Sequence, residues 1–244
     1  LKKARFPVIV AGGGVISSGA SEEVMQLAGL LGAPIVTSYG HNDAVSNDHP
    51  MFISSLGRAG AEEAREAAQR ADVLLAVGTR LGHFTTFYNY SQISKGARII
   101  QIEIDQEQIG RNYPVAVGIL GDAKAVLASL MEMVEEVGLP PGKEERLAVV
   151  AEIRGRLRSR LEAEEQFASL PMKPQRVYCE LRKALPRDSI VVLDAGACTS
   201  YGHVRLFFSS PGSFFRSLDL GCVGSGFPLA LGVKLAKPHQ PVIS

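Results

Sequence analysis

Hydrophobic residues in the first half of the chain fall into runs about as long as a β-strand. Three runs lie at residues 73–77, 99–104 and 115–120, and two earlier ones at 7–11 and 35–38. They are mostly apolar instead of alternating with polar residues, which is typical of a parallel sheet covered on both faces. The pattern therefore predicts a parallel sheet of about five or six strands.

Segments with helical spacing separate these strands. Apolar residues three and four positions apart predict a helix that ends at Gly32, and alanine and glutamate predict another at residues 59–70. Asp122 is a typical N-cap for a third helix. Because strands and helices alternate, we expect an α/β fold with a doubly wound parallel sheet.

The second half of the chain starts a new pattern. The sequence GLPPG at residues 138–142 interrupts the alternation, and residues 143–167 are strongly charged with apolar positions at helical spacing. We predict a first domain at 1–138, a linker with an amphipathic helix at 139–170, and the first part of a second α/β domain at 171–244. The elements predicted there are helices at 177–185, 200–208 and 228–236, and strands at 190–193, 214–218 and from 241 onward.

Composition narrows the class of protein. The chain has 244 residues, of which 46% are hydrophobic and 21% charged, and its net charge of +1 without a basic block favours neither nucleic acid nor an anionic membrane as a partner. No apolar run approaches the roughly 20 residues that cross a bilayer. Three widely spaced cysteines without a CxxC pair predict neither a disulfide framework nor a zinc site, and they fit a reducing cytoplasm.

Glycine residues follow the first predicted strand and precede a helix. Gly13 and Gly14 would let backbone N–H groups approach a phosphate, although a tight structural turn explains them equally well. The segment half-matches the dinucleotide pattern G-x-G-x-x-G/A, with Ser17 at the third small position. The acidic ribose partner expected about 20 residues later is absent, which disfavours a nicotinamide dehydrogenase.

Polar residues follow the later strands, at the edge where ligands of such sheets bind. Gly78, Thr79 and Arg80 come after one strand, and the Arg80 guanidinium could hold a phosphate in a bidentate manner. Asp105 follows the next strand and could accept a hydrogen bond from a ribose hydroxyl, and Asp122 follows the last. Local capping or pairing is the alternative for these side chains.

Two other groups of residues are weaker candidates. The loop at 39–50 contains histidine, asparagine and aspartate, but their spacing fits no common metal site and is explained by turn formation. Cys198 follows a predicted strand and could be a nucleophile with His203 nearby, although a structural cysteine is the simpler interpretation.

Longer segments carry a family resemblance. The first domain contains PVIVAGGGV, GAPIVTS, ADVLLAVGTRL and ARIIQIEIDQEQIGRN, and the second contains SIVVLDAGA and LDLGCVGSGFPLALGVKLAKP. Over nearly its whole length the chain resembles the thiamine-diphosphate-dependent enzymes of the acetohydroxyacid synthase superfamily. The resemblance implies that residues 1–138 are the middle domain and that the diphosphate-binding domain starts at about residue 171.

The resemblance also implies where the cofactor lies. In the family, the segment that matches Gly196, Ala197 and Cys198 contacts the diphosphate of the cofactor. The motif that leads to the Mg²⁺ ligands would follow Ser244, and the catalytic glutamate would belong to a domain that precedes Leu1. We therefore expect no catalytic and no metal-ligating residue in this chain, and no turnover by the chain alone.

A second segment is implied to contact the other end of the cofactor. The family residues that match Gly221, Cys222 and Val223 lie against the aminopyrimidine, where a bulky apolar side chain wedges the cofactor into a bent form. Bending brings the cofactor's own amino group beside its reactive carbon, so that proton removal becomes intramolecular.

The implied activity is the making or breaking of a carbon–carbon bond next to a carbonyl, with a 2-oxo acid or an aldehyde as substrate. Acetolactate synthase-like carboligation is the leading candidate. The alternative is the activity of a sulfoacetaldehyde acetyltransferase, or of a decarboxylase that acts on a 2-oxo acid or an acyl-CoA. A homodimer or homotetramer is implied. The run at 80–84 lacks the acidic pair of the flavin-binding members, so FAD is disfavoured and ADP or an empty site is left open. A non-catalytic nucleotide-binding regulatory module is the alternative from another class.

Overall fold

Six parallel strands form the first sheet in the computed structural model, which describes residues 1–217 and 220–244. In chain order, this part contains β1 (Pro7–Ala11), α1 (Gly13–Ser18), α2 (Ser21–Leu31), β2 (Ile35–Thr37), β3 (Phe52–Ser55), α3 (Glu62–Gln69), β4 (Val73–Val77), α4 (His83–Thr86), β5 (Arg98–Glu103), β6 (Val117–Leu120) and α5 (Ala123–Val137). The strand order is β3-β2-β1-β4-β5-β6, and every adjacent pair is parallel. The predicted doubly wound parallel sheet is therefore confirmed.

The predicted strands agree with the observed ones, with one omission. The runs at 7–11 and 73–77 are β1 and β4 residue for residue, and both strands are buried throughout. The prediction lacks β3, because its sequence Phe-Ile-Ser-Ser has only two apolar residues and follows a polar loop. Packing against its neighbours buries this strand, and Ile53 keeps only 2% of its surface exposed.

The turns after β1 and β4 meet where the strand order reverses. The N–H of Gly14 donates to the carbonyl oxygen of Gly78 at 2.9 Å. A Cβ on Gly14 would lie 2.6 Å from the Gly78 Cα, and Gly78 itself has a φ of +55°. Only glycine allows two backbones to approach this closely. Ligands of doubly wound sheets bind in the crevice at such a reversal.

A long helix leads to a second, smaller sheet. The elements are α6 (Lys143–Glu165), α7 (Pro174–Ala184), β7 (Ile190–Leu193), α8 (Ala197–Arg205), β8 (Phe214–Arg216), α9 (Gly226–Ala236) and β9 (Val242–Ile243). The three strands are parallel in the order β8-β7-β9. A second α/β unit thus follows the first, whereas the domain boundaries themselves stay a prediction.

Several elements of this second unit differ from their predicted bounds; α7, for example, begins at Pro174 and α9 at Gly226. Helix α8 begins at Ala197, three residues before the predicted start at residue 200. The small residues Gly196, Ala197 and Cys198 had no helical apolar spacing to reveal the first turn. Strand β8 ends at Arg216, and Leu218, the predicted end of that strand, lies outside the described residues.

Helix α6 packs against both units. Ile153, Leu157 and Leu161 are buried in one cluster with side chains of the first sheet and with Val204 of α8. Two ion pairs extend the contact: the Arg160 guanidinium bonds Glu63 of α3 at 2.7 Å, and Arg205 of α8 bonds Glu164 at 2.7 Å. The predicted amphipathic helix is therefore a spacer that fixes the two units to each other.

Arg146 anchors the start of α6. Its side chain is almost completely buried, and its guanidinium donates two hydrogen bonds, at 2.7 and 3.0 Å, to the Leu31 carbonyl at the end of α2. It also donates to the carbonyl oxygens of Pro140 and Pro141. These carbonyls carry the partial negative charge of a helix end and of a turn, and they therefore help to compensate the buried cation.

We expect Arg146→Met to lower the free energy of unfolding by about 2–4 kcal/mol, because several buried carbonyl groups would lose their donor. Arg158→Met on the same helix should change it by less than about 0.5 kcal/mol, since the Arg158 side chain is 82% exposed. Urea unfolding at pH 7 measures both variants. Equal losses of stability would contradict this assignment.

Candidate functional site

A cleft of about 530 Å³ opens beside the glycine turns of the first sheet. Five residues predicted from the sequence line it: Gly13, Gly14, Gly78, Thr79 and Arg80. The loop after β2, the segment around α4 and the end of β5 contribute the remaining wall. The cleft thus occupies the carboxyl ends of the central strands, as expected for this fold.

The charges of this cleft favour an anion. Arg80 and Arg111 line it, and Glu103, the one carboxylate that the described residues contribute to the lining, accepts the N–H of Ile104 at 3.0 Å. His41 also lines the cleft and packs over Gly13, where a Cβ would lie 2.6 Å from the imidazole Nε2. Burial lowers the pKa of His41, and the charge of Arg80 lowers it further, so this imidazole is neutral at pH 7.

The rim of the cleft is a strained aromatic segment. Leu81, Phe87 and Tyr88 have positive φ angles of 49°, 56° and 53°, which residues with a Cβ adopt at a cost. The Thr86 hydroxyl holds the turn by donating to the Leu81 carbonyl at 2.9 Å. The turn exposes the aromatic ring of Tyr88 beside His83, whose ring centroid lies 5.3 Å away. The rim therefore offers flat apolar surface beside the cationic floor.

Two predicted carboxylates lie away from the cleft lining. Asp105 accepts the N–H of Glu107 at 2.9 Å and the Gln108 amide at 3.2 Å, which caps a short 3₁₀ turn. Asp122 accepts the N–H of Ala125 at 3.1 Å and caps α5. Local capping accounts for both side chains, and a contact of either with a ligand stays a prediction.

In the second unit, Asp194 joins the two segments that the resemblance assigns to the cofactor. Its carboxylate accepts the N–H of Ala195 at 2.7 Å, directly before α8. It also accepts the N–H of Gly224 at 2.8 Å, in the loop before α9, and the N–H of Gly226 at 3.2 Å, in the first residue of that helix. These N–H donors, Ala195 first, lower the pKa of Asp194, so the carboxylate stays ionised. One charged side chain therefore brings both loops together.

The loops held by Asp194 form an open backbone cradle. Gly196, Gly221 and Gly224 have positive φ angles of 134°, 59° and 89°, and a Cβ on any of them would find nothing within 4 Å. Val223 projects from the second loop with 85% of its surface exposed. A cradle with open space at its glycines and one apolar projection fits a cofactor that has a diphosphate and an aromatic ring.

Cys198 lies in the first turn of α8, where its Sγ is 3.2 Å from the Asp194 carbonyl oxygen. The ring nitrogens of His203 face elsewhere: Nε2 lies 3.0 Å from Arg216 and Nδ1 lies 3.5 Å from Ser55. Burial, with the charge of Arg216, lowers the pKa of His203 to about 3. The structure thus does not pair His203 with Cys198, and the interpretation of Cys198 as a structural cysteine fits better.

The polar loop after β2 joins the two units. Asn42 donates to the His203 carbonyl at 2.6 Å, and Asn47 accepts the N–H of Phe208 at 3.0 Å. Asp43 accepts the N–H groups of Ser213 and Phe214 at 3.0 and 3.1 Å. This role was missed, because nothing in the sequence shows that a loop's polar side chains pair with backbone about 160 residues away. In the described residues, no three His, Cys, Asp or Glu side chains are grouped to hold a metal ion.

Known proteins match both units. Residues 1–130 match the thiamine pyrophosphate enzyme central domain, and residues 194–244 match the C-terminal TPP binding domain of thiamine pyrophosphate enzymes. The chain belongs to the thiamine pyrophosphate enzyme family. The resemblance stated from the sequence is thereby confirmed, and so is the start of a second, cofactor-binding domain.

Relatives with two kinds of name are similar to this chain. The chain is 36% identical to a sulfoacetaldehyde acetyltransferase of Castellaniella defragrans and 37% identical to one of Alcaligenes xylosoxydans xylosoxydans, over 100% of this chain and 44% of each relative. It is 35% identical to a probable acetolactate synthase large subunit of Methanocaldococcus jannaschii, over 98% of this chain and 40% of the relative. The chain thus spans less than half the length of these curated relatives.

In the described ranges, 1–217 and 220–244, no helix is long and apolar enough to span a lipid bilayer.

A pair of glycines on α9 tests the contact with Asp194. A Cβ on Gly226 would lie 2.8 Å from the Asp194 Cβ, whereas a Cβ on Gly232 would find nothing within 4 Å. We expect Gly226→Ala to lower the free energy of unfolding by about 1–3 kcal/mol and Gly232→Ala to raise it by up to about 1 kcal/mol. Urea unfolding measures both variants. If Gly226→Ala left the free energy of unfolding unchanged, the close approach of Gly226 to Asp194 would be contradicted.

Asp43 makes stability depend on pH. Burial raises the pKa of Asp43 from 3.8 to about 6, so the folded protein binds this proton more tightly than the unfolded chain. The stabilisation that protonated Asp43 contributes is complete below about pH 4, and it is lost as the pH rises through 6. We expect the difference in unfolding free energy between the unaltered chain and Asp43→Asn to change by up to about 3 kcal/mol between pH 4 and 7. A difference that is constant with pH in urea unfolding would refute this.

Proposed function

We propose that this chain is part of a thiamine-diphosphate- and Mg²⁺-dependent enzyme that makes or breaks a carbon–carbon bond next to a carbonyl. The observation that carries the proposal is the Asp194 carboxylate, which joins the two cofactor segments into one cradle. Bound thiamine diphosphate supplies an electron sink for such a reaction. The protein supplies binding and orientation.

Residues of both loops would hold the cofactor. Gly196, Ala197 and Cys198 lie at the start of α8, a helix of nine residues whose first N–H groups suit a diphosphate. Gly221 and Cys222 would lie along the aminopyrimidine. The exposed Val223 side chain would press on the cofactor from one side.

Two reactions are candidates for the whole enzyme. Acetolactate synthase-like carboligation of a 2-oxo acid is the leading one, and relatives named as acetolactate synthase large subunits support it. Acetyl transfer from sulfoacetaldehyde is the alternative, supported by the identities of 36% and 37% to enzymes of that name. A homodimer or homotetramer belongs to the same proposal.

The cleft of the first sheet would hold the phosphate groups of a nucleotide. Arg80 and Arg111 supply positive charge, and the glycine turns allow close approach. Gly82, His83 and Phe84 stand where an acidic pair would accompany FAD, which favours ADP over FAD.

Cofactor binding can be tested by thermal unfolding of the chain with thiamine diphosphate and Mg²⁺. At a hundredfold excess over the dissociation constant, stabilisation should reach about 2.7 kcal/mol. Thiamine with Mg²⁺ should give little stabilisation, because thiamine lacks the diphosphate. No stabilisation by any combination would contradict the proposal.

A matched pair of variants locates the effect. Val223→Ser should reduce the cofactor-dependent stabilisation, whereas Leu235→Ser on α9 should leave it unchanged. Both side chains are equally exposed, at 85% and 84%, so neither substitution should disturb the chain without cofactor. If the cofactor stabilised both variants equally, Val223 would not be part of the cofactor site.

A further inference from the structure

A second cleft, of about 780 Å³, lies between the middle of α6 and the second sheet. We call it the α6 cleft; its wall comprises residues of α6, of the chain between Asn47 and Ile53, and of the segments that flank β7. It shares no lining residue with the cleft beside the glycine turns. Its volume lies in the range that holds a small organic molecule.

The floor of the α6 cleft is apolar. Leu157 and Leu161 of α6, Ile53 of β3 and the residues Leu206 and Phe208 after α8 line it, and each is more than nine-tenths buried. Phe207 at the edge exposes 43% of its surface, and the guanidinium of Arg182 lies 5.1 Å above its ring. A fully hydrated inorganic ion would gain nothing from this floor, whereas a ligand with an apolar body would.

Gly155 leaves the helix backbone open to this cleft. It lies in the interior of a 23-residue helix, where glycine costs up to about 1 kcal/mol relative to alanine. A Cβ on Gly155 would find nothing within 4 Å, so no packing inside this chain requires glycine there. The position is instead part of the cleft wall, one helical turn after Ala151.

One guanidinium that lines the cleft has no carboxylate of the described residues within ion-pair distance, and the charge of Asp48 reaches it only from farther away. Arg158 pairs with Glu162, Arg182 with Glu165, and Arg187 with Asp48. Within residues 1–217 and 220–244, Arg154 forms no ion pair, and its one hydrogen bond goes to the Pro50 carbonyl at 2.8 Å.

One residue of the cleft wall has a buried hydroxyl without a hydrogen-bond partner among the described residues. Ser189 lines the cleft, is only 5% exposed, and its Oγ has no hydrogen-bond partner among the described residues. Buried hydroxyl groups in folded proteins are normally paired.

We propose that the α6 cleft binds a small organic carboxylate with an apolar body, with Arg154 as its charge partner. The apolar floor takes the body of the ligand, and the open face at Gly155 gives it access to the helix. The proposal does not depend on thiamine diphosphate binding, since it uses none of the residues assigned to the cofactor.

Calorimetric titration of the full chain with 4-phenylbutanoate tests the proposal, with 4-phenylbutanamide as the uncharged probe of the same shape. The carboxylate should bind at least about tenfold more tightly than the amide. Arg154→Gln should remove this preference without changing the affinity for the amide.

Gly155→Leu should abolish binding of both probes by filling the cleft. Leucine favours a helix more than glycine does, so the melting temperature of this variant should stay the same or rise. Gly29→Leu is the matched control, because Gly29 is also a helical glycine with nothing within 4 Å of a Cβ but lies in α2, away from the cleft. Three results would overturn the proposal: the unaltered chain binds neither probe, it binds both with equal affinity, or Gly155→Leu binds them as tightly as the unaltered chain does.

Discussion

The carboxylate of Asp194 is the contact on which the candidate cofactor site depends. It accepts N–H groups from Ala195, Gly224 and Gly226, which belong to two loops about 30 residues apart. Hydrogen bonds from backbone N–H groups to a charged carboxylate are stronger than those between neutral groups. They hold glycine-rich loops, which have little side-chain packing of their own, in one arrangement. The cradle forms because one carboxylate accepts hydrogen bonds from the backbone of both loops.

The first unit supports this arrangement from a distance. Asn42, Asp43 and Asn47 lie in the loop after β2 and bond the backbone around α8 and β8. The same loop carries His41 in the wall of the first cleft. Helix α8 thus begins at the candidate cofactor cradle and ends against the loop that carries His41.

Much of the fold follows from local sequence, because β1 and β4 are continuous apolar runs bounded by glycine. Strand β3 does not follow from it, since two serines occupy half of that strand and burial comes from its neighbours. The same limit applies to the site. The glycine turns and Arg80 were predicted because they follow strands, whereas the bonds of Asp43 and Asp194 join segments far apart in the chain.

Hydrogen exchange of the backbone amides with and without thiamine diphosphate and Mg²⁺ tests the central claim most directly. The account predicts slower exchange with the cofactor at residues 195–199 and 221–226, the two loops that Asp194 joins. Slower exchange confined to the glycine turns of the first sheet, or no change anywhere, would contradict it.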